Sequence, residues 1–257
     1  MKSTFKLFVA LCLLARPLLA ADGVLIVENT TVGGKTQTNQ IQIEKTRMRV
    51  ESPGPTGATQ VFVFDGSTQV LRVIDSEKKT YSEMTKADVD RLATQMAGAM
   101  AQMQEQIKNL PPAQRAQIEA AMGKTAGAPA KTDYRKTGLD KVGKWTCDKY
   151  ESYQNQLKVA DLCTVDPKAL GFAAADFQVT QQLGEFFRKM NPQSADQMFS
   201  LGGGDAQGFS GVPVRRSFAI AGHQIVSEVT EVSRHTFADS IFAVPAGFQK
   251  QAFGAGR

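Results

Sequence analysis

Between Thr85 and Met122 the apolar residues of this 257-residue chain recur in steps of three and four, whereas almost everywhere else they alternate. That change of period constrains the fold more than any other feature. Alternation places one face of a strand in a core, and steps of three and four place one face of a helix there. The chain is therefore β-rich with a helical block set into it.

The first half reads as a meander. Val24 to Val27 is apolar and β-branched, and Gly33-Gly34 marks a turn. Ile41 and Ile43 alternate with polar residues, as Met48 and Val50 do with Arg47, Arg49 and Glu51. Pro53-Gly54-Pro55 interrupts the pattern. Val61-Phe62-Val63-Phe64 is apolar on both faces, which predicts a strand covered on both sides. Asp65-Gly66 is a hairpin signal. Val70 to Ile74, a polar turn at Asp75 to Lys79, and Tyr81 complete the run.

The helical block opens with matching cues. Thr85 is an expected N-cap with Asp88 at the third helical position, and Met84 and Val89 occupy the positions of a hydrophobic staple. The stripe runs Val89, Leu92, Met96, Met100, Met103, Ile107 and Leu110, with Asp90, Thr94, Glu105 and Lys108 off it. A helix from Thr85 to Leu110 would be about 39 Å long. Pro111-Pro112 ends it, and Pro112 suits the first position of a second helix carrying Ile118 and Met122. Gly123 is the expected C-terminal cap. Residues 123–131 read as a mobile loop.

Later segments repeat the plan. Tyr134, Val142, Trp145 and Tyr150 mark strands, and Asp166-Pro167 caps a short helical turn. Ala173 to Met190 is a predicted helix with Val179, Leu183, Phe186, Phe187 and Met190 on one side. Val212 to Ile220 and Gln224 to Val232 form a hairpin around Gly222, and Phe242 to Phe248 closes the fold. Most gaps between strands are of turn length, so the pairing is antiparallel. The expected class is α+β, mainly antiparallel β, with a curved, unclosed half-barrel sheet and helices packed on its concave face. Residues 21–250 form one domain with a helical insert at 85–122, followed by a flexible tail at 251–257.

The N-terminus has the three parts of a secretory signal: Lys2 and Lys6, the apolar run Phe5 to Leu14, and small residues at Ala20-Ala21. Residues 1–20 are the expected signal peptide, and the run is too short for a membrane span. The formal net charge of +5 falls by three when Lys2, Lys6 and Arg16 are removed. No basic run remains, so nucleic acid is not an expected partner, and no other stretch is long enough to span a membrane. The mature chain is expected in the periplasm or outside the cell. Of three cysteines, Cys12 lies in the signal. Cys147 and Cys163 then form an even pair in an oxidising compartment, which favours a disulfide. A turn centred on Asn155 would set them opposite each other on a hairpin.

Catalytic patterns are absent. With two histidines there is no His-Glu-x-x-His zinc motif. Gly208-Phe209-Ser210-Gly211-Val212 fails as a nucleophile elbow at its last position. Gly34-Lys35-Thr36 and Gly123-Lys124-Thr125 lack the first glycine of a phosphate loop. No enzyme activity, metal or cofactor is expected. The stripe leaves three readings open: flexible methionine filling a core, the wall of an apolar cavity, or thioether ligands for Cu(I). Phe186, Phe187 and Trp145 are read as core.

Several segments resemble a family of exported bacterial proteins, domain of unknown function 4412. They are Met48-Arg49-Val50-Glu51, Phe64-Asp65-Gly66, Val73 to Tyr81, the Met/Gln helix at 96–107, Leu110 to Arg115, Trp145 to Tyr150, and Phe242 to Phe248. More widely, Phe-Asp-Gly, Lys-x-Tyr and the closing Phe-x-Val-Pro-x-Gly-Phe resemble periplasmic lipoprotein carriers of the LolA and LppX type. That resemblance implies helices plugging an apolar cavity in a half-barrel. The expected function is non-enzymatic binding of a lipid, acyl chain or other hydrophobic ligand between sheet and helices, as a carrier or sensor. Leu92, Met96, Met100, Met103, Ile107, Phe62 and Phe64 are the candidate cavity residues. The alternative is an interaction module presenting the helix pair to a cell-envelope protein. Cu(I) handling is a more remote one.

Overall fold

A computed structural model describes residues 23–53, 59–112, 114–115, 132–188, 208–220 and 222–253. The expected signal peptide, the loop at 123–131 and most of the second predicted helix lie outside these. The predicted strands form as one sheet. β1 (Gly23–Val32), β2 (Lys35–Ile43), β3 (Arg47–Pro53), β4 (Thr59–Asp65), β5 (Val70–Asp75) and β6 (Thr80–Thr85) make a continuous antiparallel meander. β7 (Asp133–Val142), β8 (Trp145–Gln154), β9 (Leu157–Val165), β10 (Val212–Ile220) and β11 (His223–His235) make a second. The two join where β1 pairs with β11, so the first and last long strands lie side by side in mid-sheet. The short β12 (Gln249–Gln251) adds to the edge at β6 in parallel.

Turn chemistry explains the hairpins. Asp65 Oδ1 accepts from the Ser67 and Thr68 amides, and Asp75 Oδ1 from those of Glu77 and Lys78. Both are carboxylates bonding to backbone just ahead, as turn aspartates do. Asn155 and Gln156 both have positive φ, which the two-residue turn joining β8 and β9 requires.

The sheet is unclosed, with β7 and β12 at its edges. Laid flat, twelve strands at about 4.8 Å would be nearly 60 Å wide. Yet one core cluster takes buried side chains from every strand from β1 to β11, including Leu71 of β5 and Trp145 of β8. Only a curled sheet brings these together. Its hollow is filled by α2 (Gln178–Arg188) and the 3₁₀ turn before it (Ala174–Phe177), where Phe177, Val179, Leu183 and Phe186 are buried. Of the predicted face, Val179, Leu183 and Phe186 are buried and Phe187 is partly buried, while Met190 lies outside the described residues.

β4 is covered on both faces, as its sequence predicts. Phe64 points into the main core, while Val61 and Val63 pack with Ile74 and Phe242 in a second cluster. The second cluster is closed by the C-terminal segment, with Phe237, Ile241, Val244 and Phe248 around it. The Arg47 guanidinium lies 4.6 Å from the centre of the Phe242 ring and donates to Asp239 at 2.7 Å. β12 follows and covers the edge strand β6. Lys250 pairs there with Glu83, which also accepts from Arg72 Nε. The Lys250 ammonium and then Arg72 hold the Glu83 carboxyl below its usual range. β12 thus ends at Gln251. The opposite edge, β7, carries a bulge after Lys136 and three cationic side chains, Arg135, Lys136 and Lys141. Both features oppose pairing with another chain.

α1 (Lys86–Lys108) starts directly after the expected cap Thr85 and ends two residues short of the expected Leu110. Thr85 and Asp88 form a reciprocal capping box, and donation from Thr85 holds the Asp88 carboxyl below its usual range. Met84 and Val89 are buried in the same cluster, as a staple requires. At the other end Arg115 donates to the carbonyls of Lys108 and Leu110. Replacing Thr85 with Ala is expected to cost about 1 kcal/mol of stability, read as a lower urea midpoint. An unchanged midpoint would mean that the cap contributes nothing.

The disulfide joins Cys147 to Cys163, with Cα atoms 5.4 Å apart. Its register differs from the expected one. The turn is the pair Asn155-Gln156 and a bulge follows between Ser152 and Tyr153; each shifts the β8–β9 pairing by one residue, so Cys163 stands opposite Lys149 and the bond runs diagonally to Cys147. Both cysteines are buried in the main core.

Candidate functional site

Among the described residues the structure does not bring the seven candidate cavity residues together. Phe64 is buried in the core, its ring 5.5 Å from that of Phe186. Phe62 is partly buried at the margin of the same cluster. Leu92, Met96, Met100 and Met103 are 38–48% exposed, and Ile107 is half-buried. The physical reason is where α1 goes. Only Val89, in its first turn, reaches the core, and from Thr94 to Gln106 every residue is exposed. The helix expected on the concave face instead projects from the body. α2, the shorter helix, takes the place inside the sheet.

The motif Phe64-Asp65-Gly66 acquires a structural meaning here. Phe64 seats Phe186, and Asp65 ties the turn. Gly66 lies against α2: a Cβ there would come within 2.0 Å of Gln182 Oε1. That atom is the end of a flexible side chain, so the turn and the filling helix meet closely without glycine being required. Trp145 and the disulfide support the far side of the same core.

A pocket of about 130 Å³ lies at the root of α1, lined by Gln69, Lys86, Val89, Glu185 and Phe186. Ligand pockets typically span roughly 300–1,000 Å³. A shallower surface depression of about 360 Å³ is lined by Lys158, Asp161, Phe218 and Gln224 among others. Lys158 donates to both Asp161 and Glu151, and these hold its ammonium above the usual lysine range. That lysine is occupied in a surface ion pair. No group of three His, Cys, Asp or Glu side chains is placed to hold a metal among the described residues. None of the described helices is long and apolar enough to cross a membrane.

The exposed face of α1 is the most unusual surface. Its larger apolar residues form a line, and its charged residues pair within the helix: Lys86 with Asp90, Arg91 with Asp88, Lys108 with Glu105. Between Leu92 and Gln104 there is no charged residue at all. Sequence periodicity located this face but could not reveal that the sheet leaves it uncovered.

A curled, unclosed antiparallel sheet with one helix inside and another projecting defines an α+β half-barrel. The chain belongs to the family described as domain of unknown function DUF4412, whose profile matches residues 90–248. No functionally curated protein matches the sequence. Among solved structures, an uncharacterized conserved protein from Thermus thermophilus is similar over 90% of this chain and 91% of its own, with 9% identity and a TM-score of 0.48. The MucA/MucB complex of Pseudomonas aeruginosa contains a chain similar over 88% of this one and 57% of its own, at 12% identity and a TM-score of 0.38. A DUF1329 family protein from Desulfovibrio piger is similar over 88% of this chain and 90% of its own, with 11% identity and a TM-score of 0.21. The agreement is weak in each case, and no functional statement follows from it.

Proposed function

We propose that this protein is a non-enzymatic, exported interaction module of the cell envelope, engaging a protein partner through the Met-rich face of α1. The observation that carries this reading is the exposure of Leu92, Met96, Met100 and Met103 on one side of a helix that is exposed all round from Thr94 to Gln106. Helices without tertiary contacts are marginal in water, and Gly98 weakens this one further, by about 1 kcal/mol relative to Ala. A line of flexible thioethers is an adaptable surface for a partner. The apolar-carrier reading finds less support, because α2 occupies the hollow where a lipid would sit.

The test is a photo-crosslinking residue at Met100, with Thr94 on the other side of α1 as control, in the organism's own envelope. Discrete protein adducts are expected from position 100 only. They should vanish when Met96 and Met103 are changed to Glu, with thermal stability nearly unchanged because both side chains are exposed. Lipid adducts at position 100 would return the carrier reading, and no adduct at all would end the interaction reading.

A further inference from the structure

Resting on that interaction reading, we infer that the partner of α1 is a second copy of the same chain, packed antiparallel across a two-fold axis between Ala99 and Met100.

The apolar positions of the face are self-complementary. About a centre between Ala99 and Met100, Leu92 falls opposite Ile107 of the second copy, Met96 opposite Met103, and Ala99 opposite Met100. Every member of the exposed line thus meets an apolar residue, as an isologous contact requires. The spacing also suits a pair of helices. Val89, Met96, Met103 and Leu110 are seven residues apart, the repeat that keeps a seam facing a partner helix.

Charge points the same way. α1 carries Lys86, Arg91 and Lys108 against Asp88, Asp90 and Glu105, all paired within the helix. Nothing on it calls for an acidic or a basic partner. A membrane surface is also a poor fit, since helices that lie on membranes carry Lys and Arg along their polar face. Here that face holds Thr94, Gly98 and Gln102 through the middle turns. Among the described residues nothing covers the middle of the helix, which is exposed all round from Thr94 to Gln106.

Leu92 to Ile107 spans about four turns, or some 22 Å. The contact is one helix face from each copy, whereas specific interfaces bury roughly 1,200–2,000 Å². The pair is therefore weak and concentration-dependent.

Single-cysteine variants of the mature chain, with the native disulfide intact, test this. Under mild oxidation Ala99→Cys is expected to give a covalent dimer. Leu92→Cys alone should not, but mixed with Ile107→Cys it should. Sedimentation of the unmodified protein at millimolar concentration should show a dimer that Met96→Glu with Met103→Glu returns to monomer. A monomer at that concentration, without crosslinks, overturns the pairing. Cross-linking of Leu92→Cys to itself as efficiently as Ala99→Cys overturns the antiparallel axis. If the chain is monomeric and position 100 still captures a different protein, the homotypic pairing fails while the interaction reading survives. If position 100 captures no protein, both fail.

Discussion

Truncating Phe186 to Ala is expected to cost about 3–5 kcal/mol of unfolding free energy. The ring is 5% exposed. It lies 5.5 Å from Phe64 and 5.4 Å from Phe187, centre to centre. It belongs to the cluster that holds the curled sheet together through α2. The experiment also separates two views of the hollow. If α2 is a permanent filling, the variant loses packing and its urea midpoint drops sharply. If α2 were a lid over ligand space, the truncation would enlarge that space, cost less than about 1 kcal/mol, and increase binding of an apolar fluorescent probe by the folded state. Such a result would restore the carrier.

Replacing both Cys147 and Cys163 with Ala should remove about 3 kcal/mol, the value that chain entropy assigns to a loop of this length. The bond closes a segment of sequence separation 16 across the β8–β9 hairpin. Both cysteines face the core beside Trp145 and Val165. Urea unfolding with and without reductant checks the assignment. Reductant should lower the midpoint of the natural chain and leave the double variant unmoved. A natural chain insensitive to reductant after complete reduction would show that the bond is energetically silent.

Much of this fold was legible because its signals are local. Alternation gave the strands of both meanders, Asp-initiated turns gave the hairpins, and Thr85 with Asp88 gave the start of α1. What was hidden depends on distant partners. β12 is Gln249-Lys250-Gln251, with no apolar residue to announce a strand, and it exists because β6 offers an open edge. The β1–β11 junction joins opposite ends of the chain. The disulfide register was displaced by the two-residue turn at Asn155-Gln156 and by a bulge that leaves no mark in composition. The candidate site shows the same division. The line from Leu92 to Ile107 was read from spacing alone, and Phe64, read as a cavity wall, lies in the packed core. Which helix would fill the hollow was not readable, because α1 and α2 both carry an apolar side. α2 carries two adjacent phenylalanines on a short helix, a bulk that suits a confined space. α1 is longer, and its methionines stand on a helix that leaves the body after its first turns.

The junction of β1 with β11 sets an order of events for a chain that emerges N-terminus first. Gly23 pairs with His235, and Val32 with Ile225. Each meander can zip up from its own neighbouring hairpins, but the seam between them must wait until nearly the whole polypeptide has arrived. Until then β1 has a partner on one side only, and the core that draws on both meanders has only one of its walls. Such long-range pairing slows folding. For a chain exported as proposed above, that delay is useful, since a polypeptide whose halves are not yet sewn together can still be threaded.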